Sequence, residues 1–529
     1  MTQPQRPRFD LTREPWIPCE TLAGARVELG FQDVLLRAHE LTAIHDESPL
    51  ATAMIHRLLL AILHRVVDGP NSLLEWGALW EQTRFDAARV HAYFERWRPR
   101  FDLFDAERPF LQVPRLAEVL ANEREGKVAE AIPVRRLALE RSFIAVLNLL
   151  EHGGDDAGLT PAEAARAMLG FQGFGPGGRI LNDSGYPKAC PLRAGAVVLA
   201  RGATLHRTLT LNLLVPARGL PAPSADDAPA WEQPRPVERA KRRVRGWLDA
   251  LTWQPRRVEL VVDASSPEQR VMSVITGAAG ESEGDWIEPM HALFVRDPKR
   301  GPEAVRFDPD RSWWRDATAL FQAAGGSDGH RRPAVCSQMA TLVEGDVLKH
   351  AEPFTLDLYG LASSQAAIEL WRSERTPLPL RLLVDPDRLN VVHVALTAAE
   401  GAASALGRSV WVLARHALAM GSRSPDKKDI GALVERLGAK PRYWAAQGKL
   451  FEGFLRDVGA ADDAEIVLAS WKTETLRAAR KALDAAADQI GTNARALQAR
   501  ALAERHLTRE LAELAPPSAP SPAQEGAIA

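Results

Sequence analysis

Four glycines crowd the stretch Phe171-Gln172-Gly173-Phe174-Gly175-Pro176-Gly177-Gly178-Arg179, which ends on a guanidinium. Glycine has no Cβ and reaches positive φ at little cost, so such a loop can press its amides against a phosphate, a sugar or the floor of a groove. Gly173, Gly175 and Gly178 satisfy the string GxGxxG of dinucleotide sites, but that fingerprint needs a strand before it, a helix starting within it and an acid about 20 residues on. Here a helix precedes, Pro176 interrupts, and Cys190 to Gly202 holds no acid. Gly173 and Gly178 also span a phosphate-loop interval, yet Arg179 and Ile180 stand where a lysine and a magnesium-binding hydroxyl are required.

A second string, Gly325-Gly326-Ser327-Asp328-Gly329 followed by His330, matches a nucleophile elbow. An elbow joins a strand to a helix, whereas this one follows a helical stretch and runs into Arg331-Arg332-Pro333, the pattern of a loop. His56 and His64 are eight residues apart rather than the four that align two metal ligands on one helical face, and read as structural or solvated. Cys19, Cys190 and Cys336 form no CxxC pair, which speaks against a disulfide framework and a thiolate zinc site. The chain is thus expected to carry no catalytic residue, metal or cofactor. The alternative is an enzyme that binds a nucleotide through the glycine loop or uses Ser327 as a hydrolytic nucleophile.

The 529 residues suffice for two or three domains with substantial cores, and the net charge of -2 gives no global attraction to nucleic acid. Any polyanion must be met by local patches or through partners. The N-terminus has no apolar segment of signal-peptide type, and no run of about 18 uncharged apolar residues occurs, so a cytoplasmic location is expected.

The elements that would hold these residues follow from local signals. Phe9 to Pro18 reads as an extended edge strand, and Ser48-Pro49 starts a helix with Leu50, Met54, Leu58, Ile62 and Val66 at helical spacing. The aromatic stretch from Trp76 to Phe104 reads as core, with Arg96, Arg98 and Arg100 leaving a base-stacking platform open. Glu123 to Asn148 has the look of an exposed loop with a basic tip at Arg135 and Arg136. Thr160-Pro161-Ala162-Glu163 is a capping box, so the glycine loop leaves the C-terminus of a helix. Ala196 to Ala200 predicts a buried strand. Leu205 to Leu213 predicts a helix, though alternation fits a strand nearly as well.

Pro216 to Pro236 reads as a surface excursion, and Arg235 to Arg245 as a basic run, either a solvated helix face or a phosphate-contacting one. Val258 to Val262 is a strand, and a further short strand is expected near Pro289 to His291. Phe354 to Leu370 suggests a hairpin with a polar tip at Ala362-Ser363-Ser364-Gln365. From Val392 the pattern turns to long alanine-rich helices, roughly to Met420, Asp429 to Val458, Ala464 to Asp488 and Thr492 to Leu514. The expected fold is α+β: a large mixed N-terminal domain over 1–385, a C-terminal four-helix bundle over 386–515 and a disordered tail over 516–529.

Several of these pieces, in this order, resemble one family. Phe9-Asp10-Leu11 with Glu14-Pro15-Trp16-Ile17-Pro18, Phe171-Gln172 before the glycine loop, Leu209-Thr210-Leu211-Asn212-Leu213, Trp253-Gln254-Pro255, and Tyr359-Gly360-Leu361 leading to Gln365-Ala366 resemble the CasA family, the large subunit of the type I-E CRISPR Cascade surveillance complex. The resemblance implies a non-enzymatic subunit that recognises the protospacer-adjacent motif (PAM) of double-stranded target DNA, mostly from the minor groove, and starts duplex opening. It implies other Cascade subunits, CRISPR RNA, target DNA and an effector helicase-nuclease as partners. Residue by residue, the PAM-reading loop falls on Gly175, Pro176, Gly177 and Gly178 beside Arg179, and the wedge on Ser363, Ser364 and Gln365. The minor-groove lysine of the family falls on Arg296 or Lys299, and the loop near the guide RNA end on Arg135 and Arg136. Pro176 departs from the family pattern, as does the lack of the paired cysteines that some relatives carry for zinc.

Overall fold

The computed structural model describes residues 7–123, 126–142, 158–178, 182, 187–217, 219–263, 268–283, 287–295, 299, 301–323, 330–364, 367–419 and 424–514. The chain is α+β and divides into two units, Met1–Trp313 with Ala319–Thr376, and Trp314–Thr318 with Pro377–Ala529.

The first unit is built around the helix Pro49–Val67. Ser48 accepts the amide of Ala51, Pro49 takes the first turn, and nearly every side chain is buried, as expected of a helix that is apolar on all sides. By length and composition it could cross a membrane, as could Pro386–Leu418, but 83% of its apolar window is buried inside the protein. Its one buried cation, Arg57, is held by Glu288 Oε1 at 2.9 Å and by the carbonyl of Ala250 at 2.6 Å, so its charge is compensated where water cannot reach.

Among the described residues, three three-stranded sheets share the unit with this helix. Ile17–Thr21 pairs with Arg26–Leu29 and Leu41–Ile44. The strand therefore begins at Ile17, not at Phe9: Phe9 to Leu11 makes a single antiparallel bridge, Asp10 opposite Asp102, and Asp10 Oδ1 then accepts both the amide and the hydroxyl of Thr12 and turns the chain. Ile132–Pro133, Val271–Ala278 and Arg256–Val262 form the second sheet; Val197–Arg201, Phe354–Ser364 and Ala367–Leu378 form the third. The helix over 205–211 is present, capped by Thr204, and Asn212 clasps both backbone groups of Ala200. Pro289 to His291 is a turn, with the His291 amide on the Glu288 carbonyl, and the short strand is Leu293–Phe294 instead, paired with Glu303–Ala304.

Trp16, Phe31, Phe94, Phe101 and Phe110 are buried ring against ring, so the aromatic stretch is core and not an open platform. Trp231 joins that cluster, which anchors the proline-rich excursion from within. The basic run is also partly internal. Lys241–Arg242 pairs with Glu281–Ser282, and Arg242 grips Asp249 with two nitrogens while lying 4.2 Å over the Trp253 ring. The run is therefore a short strand and its flanks, not a helix, with Arg235, Arg239, Lys241 and Arg243 left exposed.

The second unit consists, among the described residues, of Pro386–Leu418, Lys427–Leu437, Ala439–Ala460, Ala464–Asp488 and Ala494–Ala512, preceded by the short helix Arg381–Val384. The expected helix from Asp429 to Val458 is broken at Gly438, whose φ of 59° is left-handed and ends one helix before the next begins. Trp314–Thr318 belongs to this unit: Trp314 stacks on Phe451 at 4.8 Å, and Arg315 holds both oxygens of Glu400 at 2.7 Å while covering Trp444. The expected tail, 516–529, lies outside the described residues.

Candidate functional site

The glycine loop starts where the capping box leads. Thr160 and Glu163 exchange both hydrogen bonds, Pro161 opens the helix Pro161–Phe174, and Gly175 leaves it with its amide on the Phe171 carbonyl. The loop is then held in a two-strand clasp with the returning segment 187–190: Gly178 N–H donates to the Pro187 carbonyl at 3.1 Å, and Cys190 N–H to the Gly175 carbonyl at 3.0 Å.

The clasp is pinned by Arg256, which is 1% exposed. Its Nη2 donates to the carbonyls of Pro176 and Lys188, each at 2.8 Å, and its Nη1 to Pro255 at 2.9 Å. Gln172 fixes the strand that carries this arginine by donating to the Arg256 carbonyl and accepting its amide. Pro176 is thus no interruption here: its carbonyl, the one polar group proline retains, is the point the guanidinium holds. Burial pushes the Cys190 thiol up, against the lowering effect of Arg256, so that side chain is an inert filler beneath the loop.

The glycines do different jobs. A Cβ on Gly177 would lie 2.7 Å from the Ala189 amide nitrogen and 3.1 Å from the Pro187 oxygen, so the clasp itself requires glycine there. Gly178 has φ of 103° and open space where a Cβ would stand. It is the glycine that offers close approach to something outside.

The hairpin Phe354–Ser364 and Ala367–Leu378 is positioned from the same place. Its first strand pairs antiparallel with Val197–Arg201, Thr355 opposite Arg201 and Tyr359 opposite Val197. Running on from Tyr359 to Ser364, it passes the N-terminal end of the shorter strand by five residues, about 17 Å. That end is where the chain arrives from the glycine loop through 187–190 and Pro191–Ala194. At the base, Asp357 joins Arg201 at 3.2 Å, Arg375 at 2.6 Å and the Tyr359 hydroxyl at 3.2 Å. Arg375 is half exposed, which discounts its share. Asp357→Ala is expected to lower stability by about 1–2 kcal/mol, read as a fall in urea midpoint with unchanged slope; an unchanged midpoint would remove this cluster as the hairpin's anchor.

Two further elements meet there. The Ala196 amide donates to the Val305 carbonyl, which docks the hairpin Leu293–Phe294 and Glu303–Ala304, and the exposed Lys299 sits in the turn between those strands. Arg135 and Arg136 are exposed on the 3-10 turn Val134–Leu137, whose Val134 and Leu137 are buried. Over 134–142 the expected loop is therefore folded into helical turns, while 124–125 and 143–148 lie outside the described residues. That turn follows Ile132–Pro133 at the edge of the Arg256 sheet, and Asn182, beyond the glycine loop, holds both backbone groups of Glu130 at 2.8 Å.

The glycine loop, Gly175, Pro176, Gly177 and Gly178, is thus linked to the turn of Arg135 and Arg136 through Asn182 and Glu130, while the hairpin that ends at Ser363 and the one that carries Lys299 are docked on the segment that follows the loop, at 196–201. Arg179, Arg296, Gln365 and the alternative nucleophile Ser327 lie outside the described residues, and Ser364 is placed as backbone only. Arg256 and the exposed Lys188 are the residues that sequence reasoning missed. Arg256-Arg257 before an apolar run looks like a solvent edge, and no local signal marks it as buried.

The family model for CRISPR-associated protein Cse1 matches residues 10–483. CRISPR-associated protein CasA/Cse1 of Thermus thermophilus is 32% identical over 535 residues, which cover 96% of this chain and 98% of that protein. The crystal structure of Thermus thermophilus CasA superposes with a TM-score of 0.79 at 31% identity, covering 96% of this chain and all of that one. A chain of a CRISPR RNA-guided surveillance complex, pre-nicking, matches 96% of this chain and all of its own length at 25% identity, with a TM-score of 0.63.

Proposed function

Because the chain belongs to the CRISPR-associated Cse1 (CasA) family, we propose that it is the large, non-catalytic subunit of a Cascade surveillance ribonucleoprotein, that it reads the PAM of double-stranded DNA from the minor groove, and that it starts the opening of the duplex. The observation that supports this most is a clasped glycine loop whose returning segment leads into the strand Val197–Arg201, on which a hairpin is paired that overhangs it by about 17 Å. Likeness to a chain of an RNA-guided surveillance complex supports the ribonucleoprotein setting, with CRISPR RNA and other subunits as partners.

The chemistry suits the task. A minor groove about 6 Å wide shows a degenerate pattern, so the backbone at Gly178 with one long cation, Lys299, Arg296 or Arg179, can sort few sequences. A permissive reader of a short motif needs no more. Arg135 and Arg136, on the turn tied to the same loop, would meet the phosphates of guide or target. A side chain at the hairpin tip can hold one base step open, at a few kcal/mol of unstacking. It cannot melt a target, so guide pairing must do the rest, and a chain of net charge -2 relies on its partners for general DNA affinity. Recruitment of the helicase-nuclease that acts on the opened target belongs to the same proposal.

The test is Gln365→Ala in the assembled complex. One stacking step is about 1.4 kcal/mol, so loss of the wedge is expected to slow R-loop formation about tenfold while PAM-dependent capture of duplex persists. R-loop formation at the wild-type rate would end the wedge assignment.

A further inference from the structure

Two arginines are spent on the glycine loop itself. Arg193 Nη1 donates to the Phe174 carbonyl at 3.2 Å, where the helix ends, and Arg256 serves the carbonyls of Pro176 and Lys188. Lys188 is placed differently. Pro187 and Cys190 are buried, whereas Lys188 is exposed, and its ammonium has neither a hydrogen bond nor an ion pair among the described residues. The stretch 171–195 holds Arg179, Lys188 and Arg193 against one acid, Asp183, so the loop and its return carry a positive charge in a chain of net charge -2.

The base of this side chain is fixed. The Lys188 carbonyl is held by the Arg256 guanidinium at 2.8 Å, the Pro187 carbonyl takes the Gly178 amide, and the Cys190 amide reaches the Gly175 carbonyl. A Cβ on Gly177 would stand 3.2 Å from the Lys188 carbonyl carbon, so the lysine backbone lies against the loop. Its carbonyl turns inward to a guanidinium that is 1% exposed, and its side chain leaves on the solvent side. With the backbone already held, a contact made by the ammonium has only the flexible stem to order.

We infer that the Lys188 ammonium takes a phosphate of the target duplex, on a strand bordering the groove met at Gly178. The inference rests on the groove-reading role proposed above and adds to it a contact that positions the duplex. A lysine is a point charge with rotatable donors and no planar fork, which suits a phosphate oxygen better than the fixed edge of a base. Phosphate contacts fix register and carry no sequence information, so Lys188 raises affinity equally for every motif the loop accepts.

Lys188→Gln in the assembled complex tests it. Binding is measured from about 50 to 200 mM salt, with PAM-bearing duplex and with duplexes altered at single PAM positions. One phosphate contact contributes about 0.9 to the slope of log affinity against log salt, so the variant is expected to lose about that much slope and about five- to tenfold in affinity near 0.1 M salt, by the same factor for each duplex. Lys188→Arg keeps the charge and should keep the slope. Hydrogen exchange at Gly178 and Cys190 should match the wild type, since the ammonium holds nothing within the clasp. An unchanged slope would show that Lys188 meets no phosphate, a loss confined to particular PAM sequences would make it a base reader, and faster exchange at Cys190 would make it a part of the clasp. Each of these overturns the assignment while PAM-dependent binding by the wild-type complex stands. Absence of PAM dependence in the wild-type complex would instead remove the groove-reading role, and this contact with it.

Discussion

Arg256→Met is expected to release the glycine loop and to abolish PAM-dependent duplex binding, at a cost of roughly 2–4 kcal/mol in stability. The substitution keeps the volume of a side chain that is 1% exposed but removes the guanidinium that serves the carbonyls of Pro176 and Lys188, while the Pro255 carbonyl keeps the Ala279 amide. Each buried carbonyl left unpaired costs about 1–3 kcal/mol. Part of that sum is returned, because Arg256 Nε has no partner among the described residues and a buried cation is itself expensive. The loop has no such return: the Pro176 and Lys188 carbonyls lie on opposite arms of the clasp and share one nitrogen. Hydrogen exchange separates the local effect from the global one. The amides of Gly178 and Cys190, which close the clasp, should exchange faster in Arg256→Met than its loss of stability accounts for. Arg256→Lys should recover part of the stability, since it keeps the charge, but not the exchange protection, since an ammonium lacks the planar fork that spans the two arms. Unchanged protection at Gly178 and Cys190 would show that the arginine does not set the loop.

Gly177→Val and Gly178→Ala form the second prediction, and their contrast carries it. At Gly177 the new Cβ meets backbone atoms 2.7 Å and 3.1 Å away, and backbone on a clasped strand cannot turn aside as a side chain would. Overpacking of this kind costs about 1–3 kcal/mol, so the clasp opens and duplex affinity falls at least tenfold. Gly178→Ala meets no atom but must hold φ of 103°, a strain of about 1–2 kcal/mol for an L-residue. Its clasp should survive, with the Cys190 amide still protected. If Gly178 is the point of contact with a groove, its variant loses affinity through the obstructing methyl alone; if only Gly177→Val loses affinity, the loop acts by shaping its neighbours. Equal, wild-type affinity of both variants for PAM-bearing duplex would remove the loop from the interface.

Much of the framework was legible because it is written in local chemistry. Ser48-Pro49 and Thr160-Pro161 with Glu163 start the two helices that frame the site, since caps satisfy amides within a few residues of themselves. The strand near Ala196 and the hairpin around Ser363 follow from apolar runs and a polar tip. Failures have local causes that pattern alone does not rank. Asp10 and Thr12 turn a segment that alternation reads as extended, and Gly438 takes a left-handed φ in the middle of an otherwise continuous helical pattern. Trp314–Thr318 gives no sign from its neighbours that it packs with helices more than 80 residues later, because Phe451, Trp444 and Glu400 are brought to it only by folding.

For the site, the amino-acid sequence by itself determined the composition of a glycine loop behind a capped helix, departed from the context that both nucleotide-binding strings require, and carried a family likeness along most of the chain. Tertiary structure alone decided what each glycine is for and what holds the loop. The physical reason is that a hydrogen bond is blind to sequence distance. Arg256 is 80 residues from Pro176, and its two acceptors become neighbours only when the sheet that carries it packs under the helix Pro161–Phe174. In a string of letters that arginine is a charge at the head of an apolar strand; in the folded chain it is the pin beneath the loop.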